Sequence, residues 1–292
     1  MEKSDPVDGF RLAYDRIGSG PPVVLLHGWP GDRTDFRALV PLLQGFAEVV
    51  VPDFRGFGES DKHDRPPAEA YSAGAQARSI VGLIEQLRLG RVVLAGYDVG
   101  SRAAQAVARA RPDLVRALVI SPPLPGAGSR TLSVEAQREF WYQPFHQLPL
   151  SEQLIDGRPD AVRAYLRHFW SHWSGPAFVL DETHLDHLVE LYAPTGAFRA
   201  SIGWYRAGAG TVAVSATERP PEPEDRIHTP TKVLWPTEDP LFPHAWADRL
   251  HEFFSEVEVR VLQGVGHFTP LEAPGSFADE IRAAIEPARR GG

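Results

Sequence analysis

The chain has 292 residues, 43% hydrophobic and 23% charged, with no cysteine and no asparagine. That balance supplies a packed core and excludes a disordered or collagenous chain, while the two missing residue types exclude disulfides, thiolate metal sites, a Cys nucleophile and N-linked glycosylation. Thirty Lys and Arg against 38 Asp and Glu leave a net charge of −8 with no basic block, so neither nucleic acid nor a membrane is expected as a partner. No apolar run reaches the length of a signal peptide or a membrane span, and the expected location is the cytoplasm.

Short β-rich runs alternate with helical patterns, which predicts an α/β domain with a mostly parallel sheet flanked by helices. Strands are expected at 10–17 and 23–26, then a helix over 32–43 that Asp32 can cap. A strand at 48–51, a helix at 72–87, a strand at 91–95 and a helix at 99–111 follow, the last stopped by Pro112. After a strand at 114–120, Pro122, Pro123 and Pro125 with Gly126 and Gly128 break the rhythm. Residues 131 to about 210 hold no convincing strand and carry Trp141, Trp170, Trp173 and Trp204, four of the seven tryptophans. Strand 231–235, helix 243–254, strand 257–262 and helix 274–285 complete the pattern. The expected division is a core of 1–125 and 214–292 interrupted by a helical cap, 126–213.

Gly96-Tyr97-Asp98-Val99-Gly100-Ser101 lies directly between a strand and a helix. Glycines at such a junction permit a strained turn that lifts the central side chain into a cleft beside the helix N-terminus. Where this pattern most often has Ser, the chain has Asp98. An Asp there could be a helix cap, but the strand–turn–helix setting favours a nucleophile. A carboxylate attacks an sp³ carbon and leaves an alkyl ester on the enzyme, which water must then cleave at the ester carbonyl with help from an oxyanion hole. Epoxides and carbon–halogen bonds fit that chemistry.

Elbow enzymes of this kind run in the order nucleophile, acid, His. His267 in Gly264-Val265-Gly266-His267-Phe268 follows the last strand and is the expected base. Residues 114–134 contain no Asp or Glu, so the orienting carboxylate is expected in Trp235-Pro236-Thr237-Glu238-Asp239-Pro240, with Asp239 preferred and Glu238 its rival. Backbone N–H groups of Trp29, in His27-Gly28-Trp29-Pro30, and of Val99 are the expected oxyanion hole. His27 in that tight turn reads as structural, as do Asp53 and the glycine loop Arg55-Gly56-Phe57-Gly58-Glu59-Ser60, which lacks the helix a nucleotide loop needs.

Taken together, HGWPG, PDFRGFGES, GYDVGSR, WPTEDP and GVGHF resemble the α/β-hydrolase-fold epoxide hydrolases of the compact bacterial type, in family order along nearly the whole chain. Within the insertion, Phe140-Trp141-Tyr142-Gln143-Pro144-Phe145-His146-Gln147 and Ile202-Gly203-Trp204-Tyr205-Arg206-Ala207 resemble that family's two cap motifs. The resemblance implies that Tyr142 and Tyr205 hold and protonate the epoxide oxygen, each a phenol that stays protonated at neutral pH. It also implies vicinal diol as product and no cofactor or metal. The expected partners are a small apolar epoxide and water, and the expected assembly is a monomer or homodimer. Trp29, Trp141, Phe145, Trp204 and Phe268 are the expected aromatic walls of the substrate pocket. His168, His172, His184 and His187 could share helix faces as metal ligands, but without an acidic framework they read as packing or surface residues.

Two other readings remain. A dehalogenase shares the Asp nucleophile, yet the halide-clamp Trp of haloalkane dehalogenases is here Val99, with Trp29 a partial substitute; fluoroacetate dehalogenases resemble the chain at Arg102 but not at Val99. A non-catalytic ligand receptor on the same fold is the other, and retention of Asp98, Asp239, His267 and both tyrosines argues against it.

Overall fold

The computed structural model describes residues 1–286. Eight strands form one sheet: β1 (Glu2–Lys3), β2 (Ala13–Gly18), β3 (Pro22–Leu26), β4 (Glu48–Pro52), β5 (Val92–Gly96), β6 (Val115–Ile120), β7 (Thr231–Pro236) and β8 (Val257–Leu262), in the spatial order β1-β2-β4-β3-β5-β6-β7-β8. β1 and β2, and β2 and β4, pair antiparallel; all other neighbours are parallel. The central strands β3 and β5 are apolar and almost wholly buried, as a sheet covered by helices on both faces requires. Leu26 pairs with Gly96, so the loops leaving β3 and β5 emerge side by side at the carboxyl edge. Strand order reverses at this point, and such a switch point opens a crevice for ligands.

Strand and helix expectations match with small shifts at the ends, apart from three differences. The strand expected from Phe10 begins at Ala13, because Asp8 and Gly9 adopt left-handed φ and turn the chain so that Val7 and Phe10 exchange backbone hydrogen bonds. The helix expected over 32–43 is instead a 3₁₀ turn at Arg33–Phe36 and a short α-helix at Val40–Leu43, with Pro41 unable to donate across the break. His244–Glu252 winds as a 3₁₀ helix held by bonds such as Trp246 N–H to the Pro243 carbonyl.

Between β6 and β7 the described residues form no strand, and helices run from Gly128–Leu132 to Thr211–Thr217. The division expected at 213/214 thus passes through the last of these helices. This helical insertion is fastened over the carboxyl edge by polar contacts to core loops. Trp170 Nε1 donates to the Pro30 carbonyl (2.9 Å), Tyr192 Oη to that of Gly31 (2.8 Å), and His187 Nε2 meets the buried Asp32 (2.8 Å). His184 Nε2 lies 3.4 Å from buried Asp35, whose other oxygen accepts from Tyr97. No group of three or more potential metal ligands assembles among the described residues. None of their helices is long and apolar enough to cross a membrane.

Candidate active site

The turn after β5 holds Asp98 at φ 50°, ψ −121°, a strained conformation for a side-chain-bearing residue, at the start of the helix Val99–Ala110. Close approach makes the turn possible: a Cβ on Gly100 would stand 1.9 Å from the Leu26 carbonyl oxygen. Asp98 is buried, and its Oδ1 accepts from the Trp29 backbone N–H at 2.8 Å. Val99 contributes the first N–H of the helix, which has no intrahelical acceptor.

His267, on the loop after β8, is brought to the same point. Its Nδ1 is 2.8 Å from Asp239 Oδ2 and its Nε2 is 3.6 Å from Asp98 Oδ2. Asp239 is itself held by the Leu241 N–H (2.9 Å), whereas Glu238 is exposed, so the carboxylate that reaches His267 is Asp239. Burial disfavours a charged imidazole, yet Asp239 and then Asp98 outweigh it and push His267 up to about 10. The two acids therefore favour the imidazolium form of the ring in the free protein.

Tyr142 begins the helix Tyr142–Gln147, and Tyr205 lies on the helix Gly203–Arg206. Their rings meet at 90°, with centroids 5.5 Å apart. Both are buried; burial first, then Asp98 for Tyr142, and the neighbouring Tyr142 phenol followed by Asp98 for Tyr205, push the two phenols upward and keep them protonated. Asp98, Val99, Tyr142, Trp204 and Tyr205 line one cavity of about 10 Å³, room for about a single water. Gln143, Tyr205 and Gly210 separate it from an outer recess of about 210 Å³ that Pro144, Val212 and Ala213 also line. At about 10 Å³ the inner cavity as it stands is too small for an organic molecule.

Of the expected aromatic walls, Trp204 lines this cavity. Trp141 does not: with Tyr142 turned inward, its neighbour about 100° round the helix is 39% exposed and stacks on Phe169. Phe145 packs on Trp141 and Tyr165, and Phe268 is buried in a 3.7 Å stack with Trp170. The Trp29 ring is buried against Tyr142, Tyr205, Phe169 and Trp173, its Nε1 directed at Ser201 Oγ (3.4 Å), so at the cavity its contribution is its backbone.

His27 accepts at Nε2 from Phe54 N–H (3.1 Å), which leaves Nδ1 to donate to the Gly28 carbonyl (2.8 Å). Asp53 accepts from Arg33 and the Glu59 N–H. Each ties the loop after β3 to the loop after β4. Two residues that sequence reasoning left without a role also emerge. Glu272 Oε2 accepts from Gly175 and Gly266 N–H groups (2.8 Å each), tying the His267 loop to the insertion. Gln143 bridges Tyr142 and the Val212 N–H. Glu272 stands five residues beyond His267, a proximity visible in the sequence; nothing there marks Gln143.

A nucleophile elbow and a His-carboxylate pair at the switch point of such a sheet define an α/β-hydrolase. Residues 21–274 match the alpha/beta hydrolase fold family, and the chain belongs to that family and is a hydrolase. Among proteins it resembles is the soluble epoxide hydrolase of Corynebacterium sp. (strain C12), 28% identical over 97% of this chain and 96% of the relative. A fluoroacetate dehalogenase from a Burkholderia species is 31% identical over 67% of this chain and 64% of that one. The structure of the epoxide hydrolase CorEH without ligand superposes with a TM-score of 0.83, at 26% identity and 99% coverage of both chains.

Proposed function

We propose that the protein is a cofactor-independent epoxide hydrolase that forms vicinal diols through an ester on Asp98, with the helical insertion as its cap. The carrying observation is the division of labour between the Asp98 oxygens: Oδ1 is held by the Trp29 N–H, while Oδ2 faces His267 in a cavity lined by two phenols. In the first step Oδ2 bonds to an epoxide carbon, the carbon–oxygen bond of the ring breaks, and the leaving oxygen takes a proton from Tyr142 or Tyr205. Two donors on that oxygen stabilise an alkoxide far too basic to leave alone.

The ester has no charge at Asp98, so His267 loses one of the two carboxylates that hold its proton, and its affinity for that proton falls. The proton passes to the phenolate left by ring opening, which restores the tyrosine before hydrolysis. The neutral ring then takes a proton from water as the water attacks the ester carbonyl carbon. Negative charge appears on Oδ1, which already accepts from the Trp29 N–H, and the Val99 N–H is the second donor of the proposed oxyanion hole. Collapse breaks the Cγ–Oδ2 bond, and Oδ2 departs with the product and takes the proton from His267. The new Asp98 carboxyl passes its own proton to the ring, and the diol leaves.

The dehalogenase reading has less support. Val99 offers no side-chain donor, the Trp29 indole is directed at Ser201, and the Arg102 guanidinium is engaged by the Leu124 carbonyl and Glu218. Incubating the protein with 1,2-epoxyhexane and with fluoroacetate, and assaying diol and fluoride, decides between them. Diol without fluoride is expected, and fluoride release alone would reverse the assignment.

A further inference from the structure

We propose that Gln143 is a positioning residue that aims the Tyr142 proton at the substrate oxygen, a role that rests on the epoxide-opening reading above. Gln143 Oε1 accepts from the Val212 backbone N–H at 3.0 Å, and Nε2 donates to Tyr142 Oη at 3.2 Å. Chemistry dictates this orientation: a backbone N–H only donates, so the amide turns its oxygen to Val212 and its NH₂ to the phenol. The residue is 6% exposed and lines the cavity that Asp98, Tyr142 and Tyr205 share.

A phenol has a single proton to give. With Gln143 presenting only hydrogen to Tyr142 Oη, the O–H cannot turn toward the amide and is left for an acceptor in the cavity. As that proton moves to the opening epoxide, negative charge grows on the phenol oxygen, where the amide N–H stabilises it. Gln143 therefore assists ester formation and has no part in ester hydrolysis, which leaves the tyrosine unchanged. Packing does not need the amide: the Tyr142 ring is already stacked on Trp29 (5.6 Å) and set against Trp173 (5.2 Å).

Two substitutions test the role. Gln143→Leu removes the donor, whereas Gln143→Glu keeps an oxygen for Val212 but presents Tyr142 with an acceptor that draws its proton away. In single turnovers with 1,2-epoxyhexane at neutral pH, ester formation falls about 10-fold in Q143L and on the order of 10²-fold in Q143E. Ester hydrolysis is unchanged in both. Lowering the pH protonates the introduced carboxyl and restores a donor, so the ratio of Q143E to Q143L rises; the wild type controls for titration of Asp98, His267 and the neighbouring tyrosines. Independently of turnover, the Gln143 side-chain NH₂ resonances of the ¹⁵N-labelled wild type, assigned through bonds, shift on Tyr142→Phe. Equal losses in both variants with a pH-independent ratio, or resonances unmoved by Tyr142→Phe, overturn the proposal. A wild type that turns over no epoxide overturns the parent reading instead, and the resonance shift still decides the hydrogen bond, as it does if the Gln143 variants fail to fold.

Discussion

His267 Nε2 lies 3.6 Å from Asp98 Oδ2 and makes no hydrogen bond among the described residues, while its Nδ1 is held by Asp239 at 2.8 Å. One edge of the ring is thus anchored and the other faces the carboxylate whose ester it is proposed to hydrolyse. That asymmetry separates the two chemical steps by residue, and each can be removed alone.

Removing the proposed nucleophile removes both. Asp98→Ala loses epoxide hydrolysis by on the order of 10⁴-fold or more and remains folded by circular dichroism, because the change removes only the carboxylate and keeps the Cβ at this turn. Substantial diol formation by the purified variant would falsify the covalent route.

His267→Gln leaves the first step intact and stalls the second. Intact-mass spectrometry after incubation with an epoxide shows one substrate mass added, on the peptide containing Asp98. In the wild type, a single turnover in ¹⁸O-labelled water places the label in the Asp98 carboxylate, since water attacks the ester carbonyl; label in the diol alone would mean direct attack of water on the epoxide.

Tyr142→Phe and Tyr205→Phe each remove a single donor to the same oxygen and retain partial activity. The double variant loses ester formation by on the order of 10²-fold or more. Alkylation of Asp98 at the wild-type rate in the double variant would reduce the pair to packing residues and reopen the dehalogenase reading.

Stability follows the His267 proton. Its folded pKa of about 10 lies above the ordinary histidine value of about 6.5. The stabilisation from that shift is complete below about pH 6.5 and lost as the pH rises through about 10. In denaturant titrations the stability gap between wild type and His267→Gln therefore narrows across that interval. A gap that widens with pH contradicts the charge state assigned to the ring.

Gly100→Ala forces a methyl against the backbone of Leu26 and His27, none of which can rotate away. It costs about 1–3 kcal/mol and displaces Asp98 from the Trp29 N–H, so both the melting temperature and the rate of ester formation fall. A variant equal to wild type in both shows that the elbow can shift at no cost.

Local chemistry made much of this protein readable along the chain. Elbow glycines flanking Asp98, the loop around His267 and the alternation of strands and helices all act within a few residues, so their signals are contiguous in sequence. The absence of acids over 114–134 even directed the search for a carboxylate to the turn after β7. The Asp8–Gly9 turn is equally local, and its left-handed pair prevails over the β pattern that runs back to Phe10.

The sequence favours Asp239 but leaves Glu238 as its rival; only the tertiary structure removes the rival, because adjacent side chains leave a turn in different directions and just one reaches the ring across 28 residues of chain. It likewise turned Tyr142 inward and Trp141 outward, and set Gln143 between Tyr142 and a backbone N–H 69 residues away. Such pairings depend on where the short helices of the insertion settle on the core. Burial and hydrogen bonding between distant segments decide that, and no run of adjacent residues encodes it.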